Sequence, residues 1–167
     1  MTKKICSIIS HCLKLVSNMP KTNLLEVGDR APLFTLLNQD GKKIRLTDYK
    51  DKKNIVLIFY PGDMTPGCTM QLCAVRDDWS KFELKNTEVF GVNHGDAASH
   101  KTFVKKYTFP FPLLIDKDKK VSEKYGALKR LFKAKIIKRS VVVVGKDGKI
   151  LFIKNGMPKN SDILKVL

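Results

Sequence analysis

Residues 54–60 read NIVLIFY, a continuous apolar run dominated by Ile, Val and Phe. Such a run suits a strand buried on both faces, and so implies a layer of structure above it and another below. The turn-forming residues PGDMTPG follow directly, and then a stretch from Cys68 to about Phe82. In that stretch Leu72, Val75, Trp79 and Phe82 recur at spacings of three and four, which predicts one helix with a single apolar stripe.

The rest of the chain alternates in the same manner. FTLLNQDGKKIRLTDY places two short runs around Asp40-Gly41, a hairpin signal. Downstream, a strand is expected at 88–93, a helix from Ser99 as N-cap to Tyr107, and a strand at 112–116. A short helix is expected around Val121–Tyr125, a hairpin about Asp147-Gly148 within 140–154, and a final helix from Ser161. Strand–helix–strand alternation closed by a hairpin and a helix predicts an α/β protein with a central mixed β-sheet flanked by helices. With the N-terminal β-hairpin, that is the order of a thioredoxin-like fold.

A length of 167 residues suits a single domain, expected over 24–167 behind an N-terminal extension at 1–23. No stretch approaches the roughly 18 apolar residues of a membrane span, which excludes an integral membrane protein. Four Cys are too few for a secreted disulfide framework. The extension carries Lys3, Lys4, Lys14 and Lys21 with no acid before Glu26. It reads as an untargeted segment of a cytoplasmic protein, with an organelle presequence as the alternative, and its Cys6 and Cys12 are expected to be dispensable.

Charge is concentrated elsewhere. Between Lys117 and Arg139 stand ten Lys and Arg against Asp118 and Glu123, half of the chain's net charge of +16. A stripe of that density attracts polyanions, nucleic acid or an anionic membrane surface among them, although a solvated Lys-rich face needs no partner.

The stretch that carries chemistry is Tyr60-Pro61-Gly62-Asp63-Met64-Thr65-Pro66-Gly67-Cys68-Thr69-Met70-Gln71-Leu72-Cys73. It lies where a buried strand gives way to a helix. Cys68 falls in the helix's first turn, where unpaired amides and the helix dipole favour thiolate over thiol. The Pro and Gly residues before it force a turn that can bring amides close to a small oxygen-bearing substrate. Cys73 lies five residues on. In an intact helix that offset separates the two Cα atoms by roughly 8–9 Å, whereas a disulfide wants them within about 7 Å. A bond between these sulfurs therefore requires the helix to unwind.

Other uses of these residues fit poorly. C-x4-C at 68–73 and C-x5-C at 6–12 lack zinc-like partners in His94 and His100. No Gly-Lys-Ser/Thr follows Gly67, so there is no phosphate loop. Phe109 and Phe111 read as core packing rather than as a base-stacking platform. The absence of C-x-x-C argues against a thioredoxin-like reductase.

YPGDMTPGCTMQLC resembles the active-site signature of the peroxiredoxins, in their bacterioferritin comigratory protein or Q-type branch. Pro61, Thr65 and Cys68 meet the pattern Pro-x3-Thr/Ser-x2-Cys, and Cys73 meets the branch marker. The resemblance extends over 24–167, through LEVGDRAPLF, GVNHGDAASHKTFVKKYTFPFPLLIDKD and RSVVVVGKDGKI. It implies that Cys68 attacks peroxide and becomes a sulfenic acid, and that Cys73 condenses with it to form a disulfide. Thr65 would hydrogen-bond thiolate and peroxide, Pro61 would shield the sulfur, and Arg139 would stabilise charge on the sulfur and departing oxygen; Arg130 is the other arginine close by. The implied partners are hydrogen peroxide or an organic hydroperoxide and thioredoxin or a similar dithiol, with no metal or cofactor; no membrane partner is expected, because no segment is apolar enough to span one. A monomer is expected by analogy, and nucleic-acid association through 117–139 is the alternative function.

Overall fold

The computed structural model describes residues 24–167, so the expectations for the extension, including Cys6 and Cys12, lie outside the described residues. Strands β1 (Thr35–Asn38) and β2 (Lys43–Arg45) form the expected hairpin, followed by a short 3-10 turn at Leu46–Tyr49. Strand β3 (Asn54–Phe59) leads into helices α1 (Pro66–Asp77) and α2 (Trp79–Leu84), then β4 (Thr87–Asn93), α3 (Ala97–Tyr107) and β5 (Leu113–Ile115). Helix α4 (Lys120–Lys124) precedes a ribbon of β6 (Leu128–Leu131) and β7 (Ala134–Ile137). Strands β8 (Ser140–Val144) and β9 (Ile150–Asn155) and helix α5 (Asn160–Leu164) complete the chain.

Seven strands make one mixed sheet in the order β2-β1-β5-β4-β3-β8-β9. β3 is its axis, parallel to β4 and antiparallel to β8, with Leu57 opposite both Phe90 and Val142. All six of its residues are buried, and the period of two sends them to two different cores. Ile55, Leu57 and Phe59 join Phe34, Phe90, Tyr125 and Val142 on one face; Val56, Ile58 and Tyr60 join Cys68, Leu72, Val75, Phe103 and Ile163 on the other. α4 covers the first face through Val121, and α1, α3 and α5 cover the second. This is the expected thioredoxin-like arrangement.

Three expectations are corrected. The helix predicted over 68–82 begins two residues earlier, at Pro66, whose missing N–H costs nothing in a first turn. It also breaks at Asp78, where Asn160 Nδ2 donates to the Ala74 carbonyl and to Asp78 Oδ2, both at 2.9 Å. Ser99 is not the N-cap of α3: Asp96 is, accepting from the Ser99 N–H at 2.8 Å. The basic segment, read above as a charged stripe with no strand in it, contains the β6–β7 ribbon. Phe109 and Phe111 are buried in a stack with Tyr107, as the core reading required.

Candidate active site

α1 springs from the end of β3 through the loop 60–65, in which Met64 takes a left-handed φ of 58°. Thr65 stands at the N-cap position and Cys68 in the first turn. The first backbone bond of the helix runs from the Thr69 N–H to the Thr65 carbonyl at 2.9 Å. The N–H groups of Gly67 and Cys68 precede it and have no acceptor within the helix, which gives this end a partial positive charge. Cys68 is 0% exposed among Val56, Ile58, Tyr60, Leu72 and Val75. Cys73, on the same helix, is half-buried, and both thiols are free.

Arg139, just before β8, reaches this first turn. A methyl group at Gly67 would stand 2.9 Å from its Nη2, so only glycine lets the guanidinium lie so close to the backbone. Arg139 Nη1 approaches Gln71 Oε1 at 3.5 Å, and Gln71 is itself buried. Arg130, the competing arginine, sits instead on the exposed face of β6. Thr65 Oγ1 donates to the Gly62 carbonyl at 3.2 Å, which leaves its lone pairs free to accept. Pro61 is half-buried at the start of the loop.

The loop is held by a hub that sequence reasoning missed. Asp63 Oδ1 accepts from the Tyr60 hydroxyl and Asn93 Nδ2, both at 2.8 Å. Asp63 Oδ2 accepts from the Ser99 hydroxyl at 2.6 Å and meets His100 Nδ1 at 2.7 Å. Both side chains of the Asp63–His100 pair are almost wholly buried. Burial alone would raise the Asp63 carboxyl, but hydrogen bonds from His100, Ser99 and Tyr60 hold it below the ordinary aspartate value. Burial and then the Asp63 charge push the Tyr60 phenol well above its usual range, so it remains a donor. The partners converge because β3 and β4 run parallel and deliver Tyr60 and Asn93 to the same end of the sheet. The sequence signal was slight, an Asp within the motif and a Ser-His pair at the start of α3.

Among the described residues, the buried side-chain polar atoms without a hydrogen-bond partner include Thr69 Oγ1, Ser140 Oγ and His100 Nε2. The first adjoins Cys68 in sequence, the second adjoins Arg139, and the third backs Asp63. Unsatisfied buried groups are rare in folded proteins, and each of these three belongs to a residue beside or in contact with a member of the site. Among the described residues no group of three His, Cys, Asp or Glu side chains is placed to hold a metal ion. The arrangement sets a buried sulfur in the first turn of a helix whose leading amides are unpaired within it, with a guanidinium beside that turn at Gly67 and a second sulfur further along the helix.

Known proteins share this architecture. The AhpC/TSA family matches residues 27–153. The chloroplastic peroxiredoxin Q of Triticum aestivum is 45% identical over 128 residues, 77% of this chain and 58% of that protein. The putative peroxiredoxin bcp of Coxiella burnetii is 42% identical over 130 residues, 75% of this chain and 85% of that protein. The crystal structure of peroxidoxin BcpB from Mycobacterium tuberculosis superposes with a TM-score of 0.79 at 27% identity, over 85% of this chain and 96% of that one. A PrxQ mutant from Xylella fastidiosa gives 0.77 at 26% identity, over 84% and 94%. The chain thus spans somewhat more than half the length of the plant relatives.

Proposed function

The chain belongs to the AhpC/TSA family, and on that premise we propose that it is a thiol-dependent peroxidase acting on hydrogen peroxide and small organic hydroperoxides. The observation that carries this reading is the Arg139 guanidinium lying over Gly67, against the helix turn that bears Cys68. The Cys68 thiolate attacks one peroxide oxygen; the O–O bond breaks, the sulfur becomes a sulfenic acid, and the other oxygen leaves as an alcohol or water after taking a proton. Arg139 and the first-turn amides stabilise charge on the sulfur and on the departing oxygen. Thr65 turns its one hydroxyl hydrogen from the Gly62 carbonyl to the thiolate and accepts the peroxide O–H on its lone pairs, and Pro61 limits the approach of water. Burial of Cys68 keeps the site to small substrates.

Cys73 then attacks the sulfenic sulfur, water leaves, and a Cys68–Cys73 disulfide forms once the first turns of α1 unwind. A dithiol such as thioredoxin reduces it and closes the cycle; no metal or organic cofactor takes part. We read the chain as a monomer. Removing the second sulfur separates the steps. Cys73→Ser is expected to consume its first equivalent of peroxide at the wild-type rate. Its steady-state turnover should then fall about a hundredfold or more, because an intramolecular thiol has been replaced by dilute external ones. Stopped-flow peroxide consumption with a thioredoxin system measures both phases, and undiminished steady turnover would remove Cys73 from the cycle.

A further inference from the structure

The β6–β7 ribbon contributes nothing to the peroxidase chemistry, yet it combines three features that have no use within the fold. The first is charge. No Asp or Glu stands between Glu123 and Asp147, while Lys129, Arg130, Lys133, Lys135 and Lys138 all fall on or beside the ribbon. Lys135 pairs with Glu123 at 2.6 Å. Among the described residues Lys129, Arg130, Lys133 and Lys138 have no carboxylate within salt-bridge distance. Lys119 Nζ donates to the Lys135 carbonyl at 2.8 Å, which joins the start of α4 to the same basic patch.

The second feature is the apolar tip. Phe132 is 97% exposed and its neighbour Leu131 is 50% exposed. The register pairs Leu131 with Ala134 and Lys129 with Ile136, so one face of the ribbon carries Ile136, Ala134 and Leu131 together with Lys129, and Phe132 stands at its tip. The opposite face carries Arg130 directly across from Lys135, and since Glu123 pairs with Lys135, Arg130 is left, among the described residues, as the unpaired cation of that face.

The third feature is backbone conformation. Phe132 occupies one of the two turn positions of the hairpin with φ at 54°, a left-handed conformation in which glycine or asparagine is the ordinary occupant. A bulky aromatic side chain there is strained and gains no packing in return, and strain of this kind is retained where it serves a contact outside the fold.

We propose that the ribbon is a docking device for an anionic lipid surface: Phe132 and Leu131 enter the interface between headgroups and acyl chains, while Lys129, Arg130 and Lys133 meet the phosphates. The charge alone would suit a nucleic acid equally well. The exposed Phe-Leu pair decides for lipid, because the bases of a duplex are closed to Phe132 and no part of a nucleic acid offers aliphatic Leu131 an apolar phase, whereas a bilayer surface offers both an anionic layer and a hydrocarbon edge. This revises the expectation of no membrane partner, which rested on the absence of a spanning segment. Because Arg139 follows β7 by two residues, docking would also hold the Cys68 site near the lipid surface.

Sedimentation of the full chain with phosphatidylglycerol–phosphatidylcholine vesicles, against pure phosphatidylcholine vesicles, tests the proposal. The protein is expected to pellet with the anionic vesicles alone and to be released by high salt. Phe132→Ser should weaken that binding about tenfold, and Arg130→Glu combined with Lys133→Glu should abolish it. Peroxide turnover of Phe132→Ser should equal that of the wild type, which also verifies its fold. A Phe132→Trp variant should show blue-shifted emission on anionic vesicles, relative to the background from Trp79. Vesicle binding unchanged in Phe132→Ser, no binding at all, or tighter binding to duplex DNA that ignores Phe132 would each overturn the proposal. Because the main readout is vesicle binding, its outcome is independent of whether the chain reduces peroxide.

Discussion

Cys68→Ser is expected to lose peroxide turnover by about 10³-fold or more, with no burst in the first equivalent. Serine is nearly isosteric and Cys68 is wholly buried among apolar side chains, so the substitution alters reactivity far more than shape. A hydroxyl in the same place stays protonated and cannot cleave an O–O bond by sulfenic chemistry. Folding stability should change little, and a thermal melt within a few degrees of the wild type would show that the loss is chemical. The contrast with Cys73→Ser is the informative part: one variant lacks both phases of the reaction and the other only the second. Retention of turnover in Cys68→Ser would leave the proposed function without its nucleophile.

The second large effect is on stability. Asp63→Asn should cost about 3–5 kcal/mol, because it replaces a buried carboxylate accepting from four side chains by an amide that accepts on one atom only. Whichever way the amide turns, its NH2 faces two former donors. For a chain of this length the melting temperature should fall by about 10 °C or more. The pH profile identifies the cause. Since the folded carboxyl is held below its ordinary value, its contribution is complete above the unfolded value of about 3.9 and disappears as pH falls through the folded one. The stability gap between wild type and variant should therefore be full at neutral pH and shrink in acid below about pH 4. A gap that stays constant into acid would show that Asp63 acts by shape rather than by charge.

Local patterns in the sequence were enough to place most of the scaffold. The run at 54–60, short and rich in Ile, Val and Phe, suited a fully buried strand, and the Asp-Gly turns at 40–41 and 147–148 marked their hairpins. The helix carrying Cys68 was visible, but its break at Asp78 was not, because Trp79 and Phe82 continue the apolar spacing of Leu72 and Val75 across the interruption. Only the contact from Asn160, far along the chain, marks the break. The ribbon was hidden for a different reason: its strands are mostly exposed and lysine-rich, and its turn has Phe132-Lys133 where glycine or asparagine would have signalled a hairpin.

The site divides along the same line. Pro61, Thr65, Cys68 and Cys73 lie within one short motif, and the helix start gives Cys68 its surroundings. Arg139 and Gln71 meet across 68 residues. Asp63 gathers Asn93, Ser99 and His100 from 30 to 37 residues away through the parallel pairing of β3 and β4. A hub assembled by long-range pairing leaves no periodic trace, and each member read singly is a turn residue, a cap or a stray histidine.

The claim that Cys68 and Cys73 form one redox couple, joined by unwinding of α1, has a direct test. Both lie in a single tryptic peptide, 54–76, because no Lys or Arg stands between Lys53 and Arg76. After one equivalent of hydrogen peroxide and alkylation of remaining thiols, that peptide should be recovered unalkylated and lighter by two hydrogens, with its full mass restored by thioredoxin. A peptide alkylated at both sulfurs, or one joined through either of them to Cys6 or Cys12, would contradict the account.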